Sequence, residues 1–249
     1  MPEGWGSEIV LELNKIHLGD SYELLHEIEE KTVDLIIMDP PYAVGMTSNG
    51  AKGNLSDMNL VKPFYDGVFR RLSKLLKSDG GIYVNCDWRT YPLYYEVMQR
   101  YFDVRNCIVW DYEWIKAGVF YRFSHEFVIF ATSRDGSAKR DFSASERDVW
   151  RIKPINFTDT KNKLHQSQKP EPLVEKMILD FSNENDLVLD PFAGSGTTCA
   201  VAKRLNRRYI GIEIDANNHE IATNRLNGIT KQGQTSIFTD FESEVAVGT

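Results

Sequence analysis

The chain has little cysteine: Cys86, Cys107 and Cys199, far apart and odd in number among 249 residues. Such a set builds neither a disulfide framework nor a zinc knuckle, so no metal site is expected, and it fits a reducing cytosol. Long apolar runs are also missing. None approaches the roughly 18 residues that a bilayer span needs, so no membrane partner is expected. The opening residues, MPEGWGSEIV, have neither the basic start nor the apolar stretch of a secretory signal, and a cytoplasmic location is expected. Internal repeats are absent. Positive charge is in deficit too, with 29 Lys and Arg against 36 Asp and Glu, a net of −7. That sum argues mildly against a nucleic-acid partner, but binding depends on local patches rather than totals. Residues 131–170 run the other way, with nine basic and five acidic side chains. A solvated loop region accounts for that excess equally well.

What is present is ordinary for a globular chain: 42% hydrophobic and 26% charged residues. The length suits one α/β domain with a short insertion or a small appendage. Seven apolar segments have strand character: 14–20, 33–39, 81–87, 106–112, 126–133, 186–190 and 208–214. Most are apolar at successive positions, as in central strands covered on both faces. Helical spacing fills the gaps at 21–30, 61–81, 170–182, 197–206 and 217–227, the second of these ending in Gly80-Gly81 as a stop signal. Alternating strands and helices predict a doubly wound, mostly parallel seven-stranded sheet with helices on both faces. Two polar, irregular stretches interrupt it. One is 43–59. The other fills most of the 50 or so residues between the fifth and sixth strands, and its 134–164 portion, like 43–59, reads as a loop insertion. The tail from about 228 is weakly patterned.

Two of these junctions carry chemistry. In VDLIIMDPPYAVG (33–45) an apolar run ends in an acid, two prolines and a tyrosine. Proline cannot donate to a sheet ladder, so Asp39 and Tyr42 should stand stiffly at a strand end, the lip where open α/β sheets bind ligands. In DLVLDPFAGSGTTCAVAKRLNRRYIGIEID (186–215) a strand enters a turn carrying Gly194 and Gly196, a helix begins near Thr197, and the next strand ends at Glu213. Glycine allows the sharp turn and the close approach of a ligand, and an acid at that distance commonly binds ribose hydroxyls. The usual third glycine is replaced by Cys199, which suits a nucleoside cofactor lacking a pyrophosphate better than a dinucleotide.

DPPY (39–42), DPFAGSGTT (190–198) and HQSQKPEPLVEKMI (165–178) together resemble the DNA amino-methyltransferases, which use S-adenosylmethionine to methylate adenine N6 or cytosine N4. Their order resembles the circularly permuted subgroup called the beta class, with the catalytic strand first and the cofactor turn last. The resemblance spans roughly residues 14–227. It implies a Rossmann-like S-adenosylmethionine fold, with residues 1–249 as one methyltransferase domain. It implies that Asp39 and the Pro40 carbonyl accept the hydrogens of the target amine, that Pro41 stiffens the turn, and that Tyr42 stacks on a base rotated out of the duplex. It implies a cofactor site of Asp190, Phe192, Ala193, Gly194, Ser195, Gly196 and Thr197, with Glu213 at the ribose, Asp20 at the adenine, and Lys169 and Pro170 alongside. A helix N-cap before Ser21 explains Asp20 nearly as well. Trp110 is either a pocket wall or a core residue, His165 reads as structural, and the roles of His125 and Glu126 are open. The implied partner is double-stranded DNA, contacted through 43–59 and 134–164. Either the recognised sequence is short or a second subunit adds contacts, as in a homodimer on a palindromic site. The acid of DPPY leans toward adenine. Cytosine-N4 methylation is the alternative, ahead of an RNA or protein amide nitrogen and of an inactive DNA-binding module.

Overall fold

A computed structural model of the protein describes residues 11–41, 47–48, 51–52, 58–116, 120–136, 146–155 and 168–229, with backbone alone at 47–48, 51–52 and 58–60. One sheet organises it. Its strands are β1 (Lys15–Leu18), β2 (Val33–Met38), β5 (Leu76–Cys86), β6 (Phe102–Asp111), β7 (His125–Ser133), β8 (Val149–Arg151), β9 (Leu187–Asp190) and β10 (Arg208–Glu213), in spatial order β1-β10-β9-β2-β5-β7-β6-β8. Strands β3 (Thr47–Ser48) and β4 (Ala51–Lys52) form a separate two-residue hairpin. Pairing is parallel from β1 through β5 and between β6 and β8, and antiparallel on both sides of β7.

Strand β2 is buried at all six positions, and its side chains alternate between two cores. Ile36 and Met38 join one core with α2 (Met58–Leu75) and α3 (Tyr91–Met98). Leu35 and Ile37 join the other with α4 (Glu171–Phe181), α5 (Thr197–Arg204) and Ala222 of α6 (Ala216–Leu226). The period of two along the strand therefore supplies both layers. The chain leaves β2 through α2 and returns in β5 on one side, whereas it leaves β9 through α5 and returns in β10 on the other. Neighbours β2 and β9 thus part in opposite directions, which opens a crevice beyond their carboxyl ends.

All seven expected strands are present, and the sheet has eight rather than seven. The extra strand, β8, lies inside the polar stretch expected to be loop; only Trp150 of its three residues is buried. The helix expected over 61–81 ends at Leu75, and the chain enters β5 at once. Gly80 and Gly81 are therefore strand residues and not a helix stop. A Cβ on Gly81 would lie 2.5 Å from the Phe181 ring, and one on Gly80 would lie 2.9 Å from the Asp34 carbonyl, so close packing demands both glycines. The expected helix at 21–30 is short: one α-helical turn, α1 (Ser21–Leu24), followed by a 3-10 turn over Leu25–Glu27.

Candidate active site

Asp39 follows β2 directly, where Pro40 and Pro41 end the ladder because neither has an N–H to give. The turn is clamped. The Pro41 carbonyl accepts hydrogen bonds from Tyr65 Oη of α2 at 2.8 Å and Tyr94 Oη of α3 at 3.2 Å. Both tyrosines are fully buried, and burial pushes the Tyr65 phenol up to about 12. On the strand side, Asn85 Nδ2 donates to the Met38 carbonyl at 3.3 Å. Backbone on either side of Asp39-Pro40 is thus held by buried donors.

The Asp39 side chain meets a cation. Lys169 Nζ lies 3.2 Å from Asp39 Oδ1 and 2.9 Å from Glu126 Oε2. Glu126, at the second position of β7, also accepts from Tyr112 Oη at 2.5 Å and faces Lys116 Nζ at 3.2 Å. Burial alone would raise the Glu126 carboxyl, but Lys169 and Lys116, with the Tyr112 hydroxyl, hold it well below the usual carboxylate range. Burial would lower the Lys169 ammonium, but Asp39 and Glu126 hold it above an ordinary lysine. For Lys116 burial prevails and its ammonium is lowered. Trp110 is a core residue whose Nε1 donates to the Ile152 carbonyl at 2.8 Å, and its ring lies 5.5 Å from Lys169 Nζ.

The glycine turn stands on the same side. Register pairs Ile36 of β2 with Leu189 of β9, Gly211 of β10 with Asp190, and Leu18 of β1 with Glu213, so Asp39, Asp190, Glu213 and Asp20 share one edge. Gly194 and Gly196 have φ of 53° and 74°, the left-handed region that favours glycine. A Cβ on Gly194 would meet nothing within 4 Å, whereas one on Gly196 would lie 2.9 Å from Ala222 Cβ. The first glycine therefore faces open space, and the second lets α6 pack closely. Glu213 ties the glycine turn to the start of α6: Oε2 accepts from Gly194 N at 2.7 Å and Oε1 from Asp215 N, the α6 N-cap, at 2.8 Å. Asp190 accepts from Phe192 N at 3.0 Å. Burial pushes its carboxyl up to about 7 against the Thr198 hydroxyl and Phe192 N–H bonds, with Asp39 and Glu213 adding negative charge nearby.

Other expected site residues divide. Asp20 is the N-cap of α1, accepting from Tyr22 N at 2.8 Å, and Gly19 N beside it donates to the Glu213 carbonyl at 2.9 Å. Ala193 N donates to the Ile212 carbonyl, and Phe192 packs on the α2 side of the core. The Ser195 carbonyl and the Thr197 hydroxyl both engage Arg225 of α6, at 3.3 and 2.9 Å, and the hydroxyl at Asp190 belongs to Thr198. Pro170 is the N-cap position of α4, and Lys169 just before it reaches Asp39. Tyr42 and His165, with most of 43–59 and 134–164, lie outside the described residues. Residues 110–130, which resemble the family hairpin flanking the target-base pocket, contain Tyr112, Lys116 and Glu126, and Thr198 closes the DPFAGSGTT motif, but the sequence assigns none of the four a role. Tyr65 and Tyr94 carry no such signal.

A crevice at the switch point of a parallel sheet, lined by a left-handed glycine turn and two buried acids, defines a Rossmann-like nucleoside-cofactor enzyme. The comparisons narrow that class. The DNA methylase family of N6 and N4 methyltransferases matches residues 33–224, and the chain belongs to it. It is 31% identical over 231 residues to the type II methyltransferase M.HpaI of Haemophilus parainfluenzae, covering 84% of this chain and 73% of that one. It is 28% identical over 243 residues to the DNA adenine methyltransferase YhdJ of Escherichia coli K12, covering 84% and 81%. Among solved structures, the M1.HpyAVI–SAM complex superposes with a TM-score of 0.66 at 27% identity, covering 86% of this chain and 98% of that one. The expectation of an S-adenosylmethionine-dependent DNA methyltransferase agrees with that membership.

Proposed function

We propose that the protein methylates the N6 amine of adenine in double-stranded DNA. One observation carries the reading: the Asp39-Pro40 turn and the glycine turn close adjacent parallel strands, β2 and β9, at one edge. The cofactor site fits its ligand, because Gly194 opens onto space with the buried carboxylates of Asp190 and Glu213 beside it. Asp190, Phe192, Ala193, Gly194, Ser195 and Gly196 would hold the methionine portion, Glu213 the ribose and Asp20 the adenine, with Thr197 and Pro170 supporting the walls. S-adenosylmethionine supplies an electrophilic methyl group on a cationic sulfur.

The chain's own task is to prepare the amine. Its lone pair is conjugated with the adenine ring and is a poor nucleophile. The Asp39 carboxylate and the Pro40 carbonyl accept its two hydrogens, favour a pyramidal nitrogen and aim the lone pair. The clamped turn makes this preorganisation rather than covalent catalysis. The proton leaves the acidic ammonium after transfer, so no separate base is needed. Tyr42 stacks on the flipped base.

DNA is held at the same lip. The loop after β5 and the connection from β6 to β7 expose Trp88, Trp114, Phe120, Tyr121 and Phe123, with Arg89 and Arg122 among them. Aromatic faces take up unstacked bases while the cations follow phosphates. Residues 43–59 and 134–164 add contacts, a second copy of the chain completes a palindromic site, and the enzyme works in the cytoplasm.

The test is direct. The protein is incubated with methyl-labelled cofactor and duplex DNA, and the product is digested to nucleosides. Label in N6-methyladenosine is expected. Label in N4-methylcytosine would move the reading to cytosine, and label only in RNA or protein, or none, would overturn it.

A further inference from the structure

The Asp39 carboxylate does not face the crevice alone. Lys169 bridges it to Glu126, whose strand, β7, is separated from β2 by β5. The Lys169 and Glu126 side chains are only 13% and 15% exposed. Buried charges of this kind persist when they are paired and hydrogen-bonded, and removing one partner leaves the other stranded. Here Asp39, Glu126, Lys169 and Lys116 balance to zero, two anions against two cations.

We propose that Lys169 and Glu126 are a positioning pair for Asp39: the ammonium orients its carboxylate through Oδ1, and Glu126 draws off enough of that positive charge to keep Asp39 a strong acceptor. The inference rests on the role of Asp39 proposed above and adds to it. The sequence resemblance implies a cofactor contact for Lys169; the geometry gives it to the acceptor of the amine instead.

Each partner is needed for a different electrostatic reason. Without Lys169, Lys116 still pairs Glu126 while Asp39 loses the ammonium beside it and keeps the Glu126 charge nearby, so Asp39 takes a proton more readily. A protonated Asp39 becomes a donor through one oxygen and loses capacity to accept the amine's hydrogen. Without Glu126, the whole Lys169 charge acts on Asp39. It competes with the amine for the carboxylate, and it opposes the positive charge that develops on the nitrogen during transfer. The two losses therefore move the titration of Asp39 in opposite directions. Removing both partners restores the balance and leaves Asp39 merely less well oriented. The surrounding groups are Asp190 of β9, Cys86 and Asp87 at the end of β5, Tyr65 of α2, Tyr94 of α3, and Tyr112 and Lys116 after β6. Lys116 and Tyr112 lose their Glu126 contacts in Glu126→Gln and in the double variant alike, so the comparison of those two with Lys169→Met and the wild type reports the pair.

The experiment measures kcat and KM on duplex DNA from pH 5.5 to 9 for the wild type, Lys169→Met, Glu126→Gln and the double variant. Cofactor affinity is followed by calorimetry, and the Asp39 carboxyl by carbon NMR in the cofactor-free protein. Lys169→Met is expected to lower kcat at least about tenfold and to raise the acid limb of its profile by about one pH unit. Glu126→Gln should lower kcat with the acid limb moved down. The double variant should turn over faster than Lys169→Met, a non-additivity expected of directly coupled charges. Cofactor Kd should stay within about twofold in all three, because uniform binding is not what the pair provides. Unchanged kcat and acid limb in Lys169→Met, or additive losses in the double variant, would overturn the inference. So would a weakened cofactor Kd with kcat intact, which would return Lys169 to the cofactor. If Lys169→Met does not fold, Glu126→Gln decides: an acid limb and an Asp39 resonance that do not move overturn the pair. Failure of the wild type to label DNA overturns the proposed function instead, and the NMR titration still reads the pair.

Discussion

Replacing Asp190 with asparagine should make the free protein more stable and a poorer binder of its cofactor. The residue is 4% exposed, and burial moves its carboxyl from 3.8 to about 7. A pH unit corresponds to about 1.36 kcal/mol, so the ionised form costs up to about 4 kcal/mol in the folded chain. The sign follows from proton counts. With its pKa raised on folding, Asp190 holds a proton in the folded chain that the unfolded chain has released between about pH 4 and 7. Stability therefore falls as pH rises through that window and levels off above it. Asparagine carries no charge, and its Oδ1 still accepts from Phe192 N. Its amide hydrogens enter a site built for acceptors, which returns about 1–3 kcal/mol of the gain. A net gain of about 2 kcal/mol at pH 8 means a Tm higher by about 4–8 °C for a chain of this size. At pH 5 the wild-type carboxyl is already protonated, and the gain should vanish.

Thermal denaturation at both pH values measures the difference, with other titrations cancelling between variant and wild type. Binding supplies the second half. A cationic ligand portion beside Asp190 favours the carboxylate, so cofactor binding near pH 7 should release about half a proton in the wild type and less in Asp190→Asn. Calorimetry in two buffers of different ionisation enthalpy counts that proton. An equal change in Tm at pH 5 and pH 8, or the same proton release from both proteins, would refute the reasoning.

Asp39→Ala should abolish turnover and leave cofactor affinity nearly unchanged by calorimetry; loss of cofactor binding would count against its role at the amine. Glu213→Ala removes the acceptor for Gly194 N and Asp215 N as well as the proposed ribose contact. It should weaken cofactor binding at least several-fold and lower the Tm, and unaltered binding would point to another acid such as Asp215. Tyr94→Phe leaves Tyr65 as the donor to the Pro41 carbonyl. A loss of about 1 kcal/mol, or about 2–4 °C in Tm, is expected with a larger fractional fall in kcat than in KM, checked by denaturation and steady-state kinetics.

The parts of this structure legible in the sequence are those where local backbone dictates the residue. Strand β2 is apolar at nearly every position because helices cover both its faces, and it stops where proline removes its donors. Gly194 and Gly196 announce a turn because their left-handed φ favours glycine. What stayed hidden was set by distant chain. Helix α3 buries Leu93, Tyr94, Val97 and Met98 and adds Tyr91 and Tyr95, so it shows no polar stripe from which to read a helix. Strand β8 buries one residue in three at a sheet edge. Gly80 and Gly81 look like a helix stop until the Asp34 carbonyl is seen against the first and Phe181, a hundred residues on, against the second. The ion cluster is the extreme case. Asp39, Glu126 and Lys169 come from three separate segments, and a lysine before a proline carries no mark of the carboxylate it will meet. The division has a mechanistic sense. Transfer to a flipped amine needs a rigid acceptor, which local sequence can encode in a proline turn. It also needs that acceptor's charge tuned, which only groups from other segments can do once the fold has brought them together.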